Sequence, residues 1–328
     1  MKFSDIIGQD ALKAHLQGAV RKRQPSQAYI IEGEKRSGKK LVANTFAAAL
    51  LCEEGGVEPC GKCHSCTMAA SGNHPDIIHV THEKPNEIRI DEIRRQVTED
   101  VALRPYYGSY KIYIIDEAEK INLPSQNALL KTLEDPPPYV VLLLLATGMD
   151  GFLQTVRSRC MKLSIAPLPD SLVIPWLTRT KSMPEYEARV ISAFAQGNLG
   201  KADLLADSED FTAMRQSVVS LLGHLPEQPP DLLLAEAEAM EEAYRDRMTE
   251  LFDFFVIWYR DVLVYKALEN KDSLIDQEEA YAIAQAARRL SYKKLKDSLD
   301  AVTKARQQLA VRVAGARVLQ QLVLRLRG

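Results

Sequence analysis

The sequence predicts an open parallel α/β sheet followed by an all-helical C-terminal region. Three observations carry that expectation. Short strand-like runs, the most apolar at 28–31 and 140–146, alternate with helix-period segments as far as Ile165. A glycine loop joins the first apolar run to the first strong helix, the strand–loop–helix order in which backbone amides gather around phosphate. Past Ser208 the strand signal fades, and apolar residues recur at helical spacing, as in Leu251, Phe254, Phe255, Trp258 and Val262.

Composition sets the outer limits. A chain of 328 residues has room for two or three domains. It is 46% hydrophobic and 26% charged, as ordinary globular proteins are. Lys+Arg 42 against Asp+Glu 44 leaves a net charge of −2. That excludes nucleic-acid binding through overall positive charge and leaves a local basic face open. No apolar run reaches the ~18–20 residues that cross a bilayer. The opening MKFSDIIGQD is charged where a secretory signal is apolar. A cytosolic protein with no membrane partner is expected.

Taken in order, Asp10 is expected to cap a helix with Leu12, Leu16 and Val20 on its apolar face. Residues 28–31 form a buried strand, residues 33–38 a turn, and an Ala/Leu-rich helix begins at Lys39. Residues 76–80 read as a second strand. Ile90 to Leu103 reads as a helix with Ile93, Val97 and Val101 on one face. Residues 111–116 form a third strand ending in acid. Ser125 is expected to cap a helix carrying Leu129, Leu130 and Leu133, which the prolines at 136–138 stop. The unbroken apolar run 140–146 suits the centre of a covered parallel sheet, and 160–165 gives a fifth strand. Residues 166–169, with two prolines, read as a hinge. Helices follow, the last from Leu309 to Leu326. The expected domains are 1–166, 167–207 and 208–328.

Gly33, Gly38 and Lys39 fit the phosphate-loop spacing G-x-x-x-x-G-K. Glycines let N–H groups wrap phosphates, and Lys39 would reach the β- and γ-phosphates of ATP or ADP. The next position should be Ser or Thr, whose hydroxyl ligates Mg²⁺. It is Lys40, whose ammonium has donors only. Asp116 and Glu117 close the third strand. A lone acidic pair is weak evidence; beyond a phosphate loop in the same sheet it matches a metal-holding acid and a water-positioning one. Occupancy of the loop by ATP or ADP is left open by these residues, and severely impaired hydrolysis is expected.

Cys52, Cys60, Cys63 and Cys66 read C-x7-C-x2-C-x2-C. Four thiolates in so short a span suit one closed tetrahedral Zn²⁺ site, structural in character and contributing several kcal/mol within the ~10–16 seen for finger peptides. Free thiols or an iron–sulfur cluster are the alternatives, although the spacing departs from the common ferredoxin run. His64 is assigned to the periphery of the site or to solvent. Cys160 lies far off.

Further marks occur in one order. They are Phe3-x-x-Ile6-Ile7-Gly8-Gln9, the phosphate loop, the four-cysteine insert after its helix, and His74-Pro75-Asp76. Asp116-Glu117-Ala118-Glu119, a helix from Asn127 through Lys131 and Glu134 to Pro136-Pro137, Ala146-Thr147 and Ser158-Arg159-Cys160 follow. This series resembles the bacterial DNA polymerase III clamp-loader subunits of the AAA+ class, with specific motifs over residues 1 to about 205. The resemblance implies an AAA+ P-loop domain with a zinc-binding insert, a small helical lid and a helical collar that closes a pentameric ring. At the position of Lys40 the resemblance implies Thr or Ser in motor subunits and often neither in the non-hydrolysing delta-prime type, which this chain resembles, and the chain stops at Gly328 without the long tail of tau.

By the same resemblance, Arg159 corresponds to an arginine finger acting in trans on ATP held by a neighbouring motor subunit. Thr147 takes the sensor-1 position, and Lys201 stands where motor subunits carry the sensor-2 arginine. The implied partners are gamma/tau motor subunits, delta, the sliding beta clamp and primed DNA. The competing reading is a catalytic AAA+ motor, favoured by Lys39, Asp116 and Glu117 and opposed by Lys40 and Lys201. A DNA-binding regulator is a third reading. Residues 288–296 carry Arg288, Arg289, Lys293, Lys294 and Lys296, a basic region read mainly as a solvated helix face.

Overall fold

A computed structural model of the chain describes residues 1–310 and 314–327. The described chain divides into an α/β unit, residues 1–168 with 198–200, and a helical unit formed by the rest.

The α/β unit is built on five parallel strands: β1 (Ala28–Glu32), β2 (Ile77–Val80), β3 (Lys111–Ile115), β4 (Val140–Ala146) and β5 (Met161–Ser164), in the order β2-β3-β4-β1-β5. All five expected strands are present. Ile30 stands between Leu144 and Lys162, and Tyr113 between Ile78 and Leu142. β4 is buried along its whole length, as an apolar run covered on both faces must be. Helices α1 (Asp10–Lys22), α2 (Lys39–Leu50) and α3 (His64–Ala70) precede β2; α4 (Ile90–Ile93) precedes β3; α5 (Leu123–Glu134) and α6 (Gln154–Arg157) flank β4 in sequence. Leu12, Leu16, Val20 and Phe46 pack on one face of the sheet, and Ile93, Val97, Leu129 and Val156 on the other.

Three local expectations are corrected. Asp10 is the first helical residue of α1 and not its cap. Gln9 holds the cap in a left-handed conformation, φ 55°, because its side-chain amide bonds both the C=O and the N–H of Ala166, at 2.6 and 3.1 Å. Ser125 likewise lies inside α5. Asn122 caps that helix, its Oδ1 accepting the Ser125 N–H at 2.9 Å, and the buried Ser125 hydroxyl lies 2.6 Å from the same Oδ1 and 3.0 Å from Ile88 O. Residues 90–102 are helical in broken form: α4 continues as a π turn, Arg94–Thr98, and a 3₁₀ turn, Asp100–Ala102. Ile93, Val97 and Val101 are all buried as expected; packing holds their path where hydrogen bonding is irregular.

The helical unit contains α7 (Asp170–Lys181), α8 (Glu185–Ala195), most of α9 (Leu199–Ala206), α10 (Glu209–His224), α11 (Pro230–Tyr244), α12 (Met248–Leu268), α13 (Ala280–Arg289), α14 (Tyr292–Ala310) and α15 (Gly315–Arg327). Leu251, Phe254, Phe255, Trp258 and Val262 are core residues, all buried. Phe194, Phe211 and Phe254 form a ring cluster with centroids 4.3–5.0 Å apart. Asp261, fully buried, accepts the N–H groups of Ile275 and Asp276 at 3.1 and 2.7 Å. Arg215 binds Asp276 through two nitrogens at 2.6 and 2.8 Å. The helix expected over Leu309–Leu326 spans the end of α14 and most of α15; its residues 311–313 lie outside the described residues.

Candidate functional site: a phosphate-loop cleft, an outlying arginine and a thiol cluster

The strand order brings the C-terminal ends of β1, β4 and β3 side by side, and the loops that follow them share one edge of the sheet. A cleft of about 430 Å³ opens there. Gly38, Lys39, Lys40, Asp116, Glu117 and Thr147 line it, as the sequence predicts for one site, together with Lys35, Arg36 and Glu119. Gly33 and Lys201 are outside this lining: Gly33 starts the loop, and Lys201 belongs to the helical unit. Gly38 has φ 94°, a conformation that favours glycine, and α2 begins directly after it.

Two of the cleft's cations, Lys39 and Lys40, are already engaged. Lys39 Nζ donates to the carbonyls of Gly33 at 2.6 Å and Glu34 at 2.7 Å. Burial lowers its pKa, against the opposing pull of Glu119, Asp116, Glu117 and Glu34. Lys40 Nζ lies 3.4 Å from Asp116 Oδ2. With both side chains largely exposed, this pair adds only about 0–1 kcal/mol. Its consequence is chemical. The acid that would hold Mg²⁺ faces a fixed ammonium, and the ammonium offers no lone pair to a metal. These residues do not fit a nucleotide-bound Mg²⁺. Glu117 is turned into a left-handed conformation, φ 50°, and its carboxylate pairs with Lys120 at 2.6 Å. Thr147 Oγ1 donates to Glu119 Oε1 at 2.7 Å.

Arg159 sits at the other edge of the sheet. It precedes β5, whereas the phosphate loop follows β1, and the two strands are parallel neighbours. Strand rise separates the two edges by about 15 Å. Arg159 donates to Thr155 O at 2.9 Å and pairs with Glu134 Oε1 at 2.9 Å, with about a third of its side chain exposed. It lines a cleft of about 600 Å³ with Ser26, Gln27, Thr132 and Pro136. The chain's own phosphate loop is out of its reach.

The four cysteines converge. Their sulfurs all lie within 4.8 Å of one another, and Cys60 Sγ is 3.9 Å from Cys66 Sγ. Tetrahedral zinc with Zn–S near 2.3 Å needs sulfurs about 3.8 Å apart, so the donor set fits that ion. Cys63 Sγ accepts the Cys66 N–H at 3.3 Å and thereby caps α3, while Cys60 Sγ accepts the Cys63 N–H at 3.3 Å. N–H groups of Lys62 and Cys63 pull the Cys60 thiol down to about 7, and burial pushes Cys66 up to about 12. His64 is exposed and outside the cluster, its ring 5.5 Å from that of Tyr107. Cys160 is buried elsewhere.

Several contributors carry no reading in the sequence. The motif acid Asp76 is buried and accepts the N–H groups of Tyr106, Tyr107 and Gly108 at 2.5–2.8 Å. His74 Nδ1 accepts the Asp76 N–H at 3.0 Å, so Nε2 carries the proton toward Ser65 Oγ at 2.9 Å on α3. Asn198 Nδ2 donates to Lys35 O at 2.8 Å, and Gly200 lies so close to Arg36 that a Cβ would stand 2.2 Å from its carbonyl oxygen.

Comparison with known proteins agrees with this site. Residues 8–169 match the family described as DNA polymerase III, delta subunit, and residues 209–324 match DNA polymerase III, delta subunit, C terminal. The chain is 28% identical to DNA polymerase III subunit delta′ of Bacillus subtilis, covering 95% of this chain and 94% of that protein. It is 30% identical to subunit delta′ of Pseudomonas aeruginosa, over 81% and 79%. It is also 26% identical to subunit tau of Bacillus subtilis, over 94% of this chain but only 58% of tau. A parallel α/β domain with a phosphate loop, a helical C-terminal region and relatives of this coverage leave one assignment: the chain belongs to the family of bacterial DNA polymerase III clamp-loader subunits that includes delta′ and tau/gamma.

Proposed function

We propose that the chain is a delta′-like stator of the clamp loader, a subunit that hydrolyses no ATP and lends Arg159 to a neighbour that does. The observation that carries this reading is the Lys40 ammonium at 3.4 Å from Asp116. Where a motor holds Mg²⁺ between a hydroxyl and a carboxylate, this chain holds an internal ion pair. Loss of the metal removes the main charge-neutralising element of phosphoryl transfer. The cleft lined by Gly38, Lys39, Lys40, Asp116, Glu117 and Thr147, on the loop that Gly33 starts, is then a degenerate nucleotide site.

Arg159 supplies the complementary half. A planar, permanently charged guanidinium suits charge spreading over phosphoryl oxygens. Its position far from its own loop supports action on ATP bound by another subunit. Its ion pair with Glu134 is exchanged for the γ-phosphate when the neighbour docks. The partners in this reading are gamma/tau motor subunits and delta in a hetero-pentamer, cytoplasmic, acting on the beta clamp and primed DNA. Residues 167–207 form the lid and 208–328 the collar, and zinc on Cys52, Cys60, Cys63 and Cys66 holds the insert.

The test uses the loader assembled from this chain and its motor subunits. Arg159→Ala is expected to leave the chain folded and lower DNA-stimulated ATPase at its neighbour's site by ~10³–10⁵. Unchanged turnover refutes the finger. A motor reading draws on Lys39, Asp116 and Glu117 and on the similarity to tau along most of this chain; brisk Mg²⁺-dependent ATP turnover by the isolated chain would establish it.

A further inference from the structure

One corner of the helical unit collects positive charge that no ion pair among the described residues offsets. Residues 288–296, RRLSYKKLK, hold five basic side chains, at 288, 289, 293, 294 and 296, and no acid. They run from the last turn of α13 to the first turns of α14. Two contacts draw neighbouring helices to the same corner. Lys266, in the last turn of α12, donates to Ala287 O at 2.7 Å and lies 5.4 Å over the ring of Tyr292. Lys294 donates to Arg325 O at 3.3 Å, which adds the basic last turn of α15 with Arg325 and Arg327.

Lys266 and Lys294 are accounted for by these bonds, as cations that satisfy helix C-terminal carbonyls. Arg288, Arg289, Lys293, Lys296, Arg325 and Arg327 are not. All six are exposed, and among the described residues none makes an ion pair. The acids next in sequence, Asp297 and Asp300, pair with none of them. Elsewhere in this unit basic side chains do find acids, as Arg306 finds Asp253 and Lys181 finds Asp203 and Asp207. In a chain of net charge −2, this is a local concentration of one sign.

We propose that this corner binds the phosphodiester backbone of duplex DNA, independently of base sequence. Arginine and lysine on adjoining helix turns stand about 5–6 Å apart, a spacing at which neighbouring phosphates can each take one cation. Unpaired exposed cations have no intramolecular bond to give up, so neutralising phosphates costs them little and releases counterions from the DNA. Tyr292, 55% exposed and held from one side by Lys266, presents its remaining ring face for sugar contact. No base-reading element enters the argument, and contacts of this kind position without specifying. The inference stands apart from the Arg159 reading, since it concerns other residues and no turnover.

The experiment measures anisotropy of a fluorescein-labelled 24-bp duplex titrated with the full chain across a salt series. The variant carries Arg288→Glu, Arg289→Glu, Lys293→Glu and Lys296→Glu. A control reverses the same number of exposed charges in the α/β unit, at Arg21, Lys22, Arg94 and Arg95. Circular dichroism melting verifies that both are folded. The corner variant is expected to bind ~10-fold or more weakly, with the slope of log K against log salt shallower by ~0.9 for each phosphate no longer neutralised; the control keeps the wild-type slope. Three results would overturn the proposal: no duplex binding by the wild-type chain at low salt, an equal effect of the control reversals, or displacement of the duplex by polyglutamate at matched charge. The last would reassign the corner to an acidic protein.

Discussion

Helix α2 begins at the phosphate-loop cleft and ends beside the thiol cluster, and the two places have opposite chemistry. At its N-terminus, Lys39 and Lys40 occupy a loop whose metal position holds an ammonium paired with Asp116. Just past its C-terminus, Cys52 joins Cys60, Cys63 and Cys66 in a set of sulfurs spaced for tetrahedral zinc. The second has the donors its ion needs, and the first does not. Scaffold geometry therefore persists at the phosphate loop without the atoms that make it a magnesium site, and function has to be read from the donors.

That contrast can be broken first at the zinc end, where the effect is largest. Metal analysis of fresh protein is expected to give one zinc per chain. Chelation under mild denaturant, or Cys66→Ser, should release it and melt α3, with a loss of several kcal/mol in local stability, within the ~10–16 of finger peptides. Protein that folds normally with no zinc would remove one side of the comparison.

At the other end, Gly200→Ala probes how firmly the phosphate loop is braced. A Cβ there meets Arg36 O at 2.2 Å. The overlap is expected to cost about 1–3 kcal/mol, read as a lowered Tm. An unchanged Tm would mean that the loop yields freely. A smaller effect is expected from Lys40→Thr, which restores the hydroxyl and frees Asp116. Fluorescent ATP should then bind ~10-fold tighter with Mg²⁺ than with EDTA, a difference of about 1.4 kcal/mol, while the parent chain shows no metal dependence. Equal metal dependence in both would sink the claim that Lys40 displaces the ion.

The smallest effect is pH-dependent and sharpens the zinc side. Burial holds the His74 imidazole below its ordinary 6.5, and its Nδ1 must stay unprotonated to accept the Asp76 N–H. Below pH 6.5 the unfolded chain takes up a proton that the folded chain refuses, so stability falls as pH drops through that point and levels once the folded imidazole also titrates. Tm followed from pH 7.5 to 5.5 should decline in the parent and decline less in His74→Asn. A parallel decline in both would assign the acid sensitivity elsewhere.

Much of the fold was legible because buried parallel strands are continuous apolar runs and need no distant information to recognise. β1, β3 and β4 were found in that way, and the thiol cluster and the missing hydroxyl from residue spacing along the chain. Helix starts were less legible. Asp10 and Ser125 are good capping residues by type, yet Gln9 and Asn122 hold the caps, because Ala166 and Ile88 approach from far along the chain. The site partners Glu119, Glu134, Asn198 and Gly200 had no local signature of their role.

The amino-acid order alone determined which donor atoms this protein owns: four thiols within one short span, a lysine where a hydroxyl would serve, an arginine just ahead of the last strand. Residue type and short spacing decide these, and both are local properties. Tertiary structure decided which groups meet. Lys40 reaches Asp116 because β4 slots between β1 and β3, and Arg159 faces away from its own loop because β5 runs parallel to β1. Pairings of that kind depend on how strands are ordered across a sheet, and no stretch of neighbouring residues encodes that order.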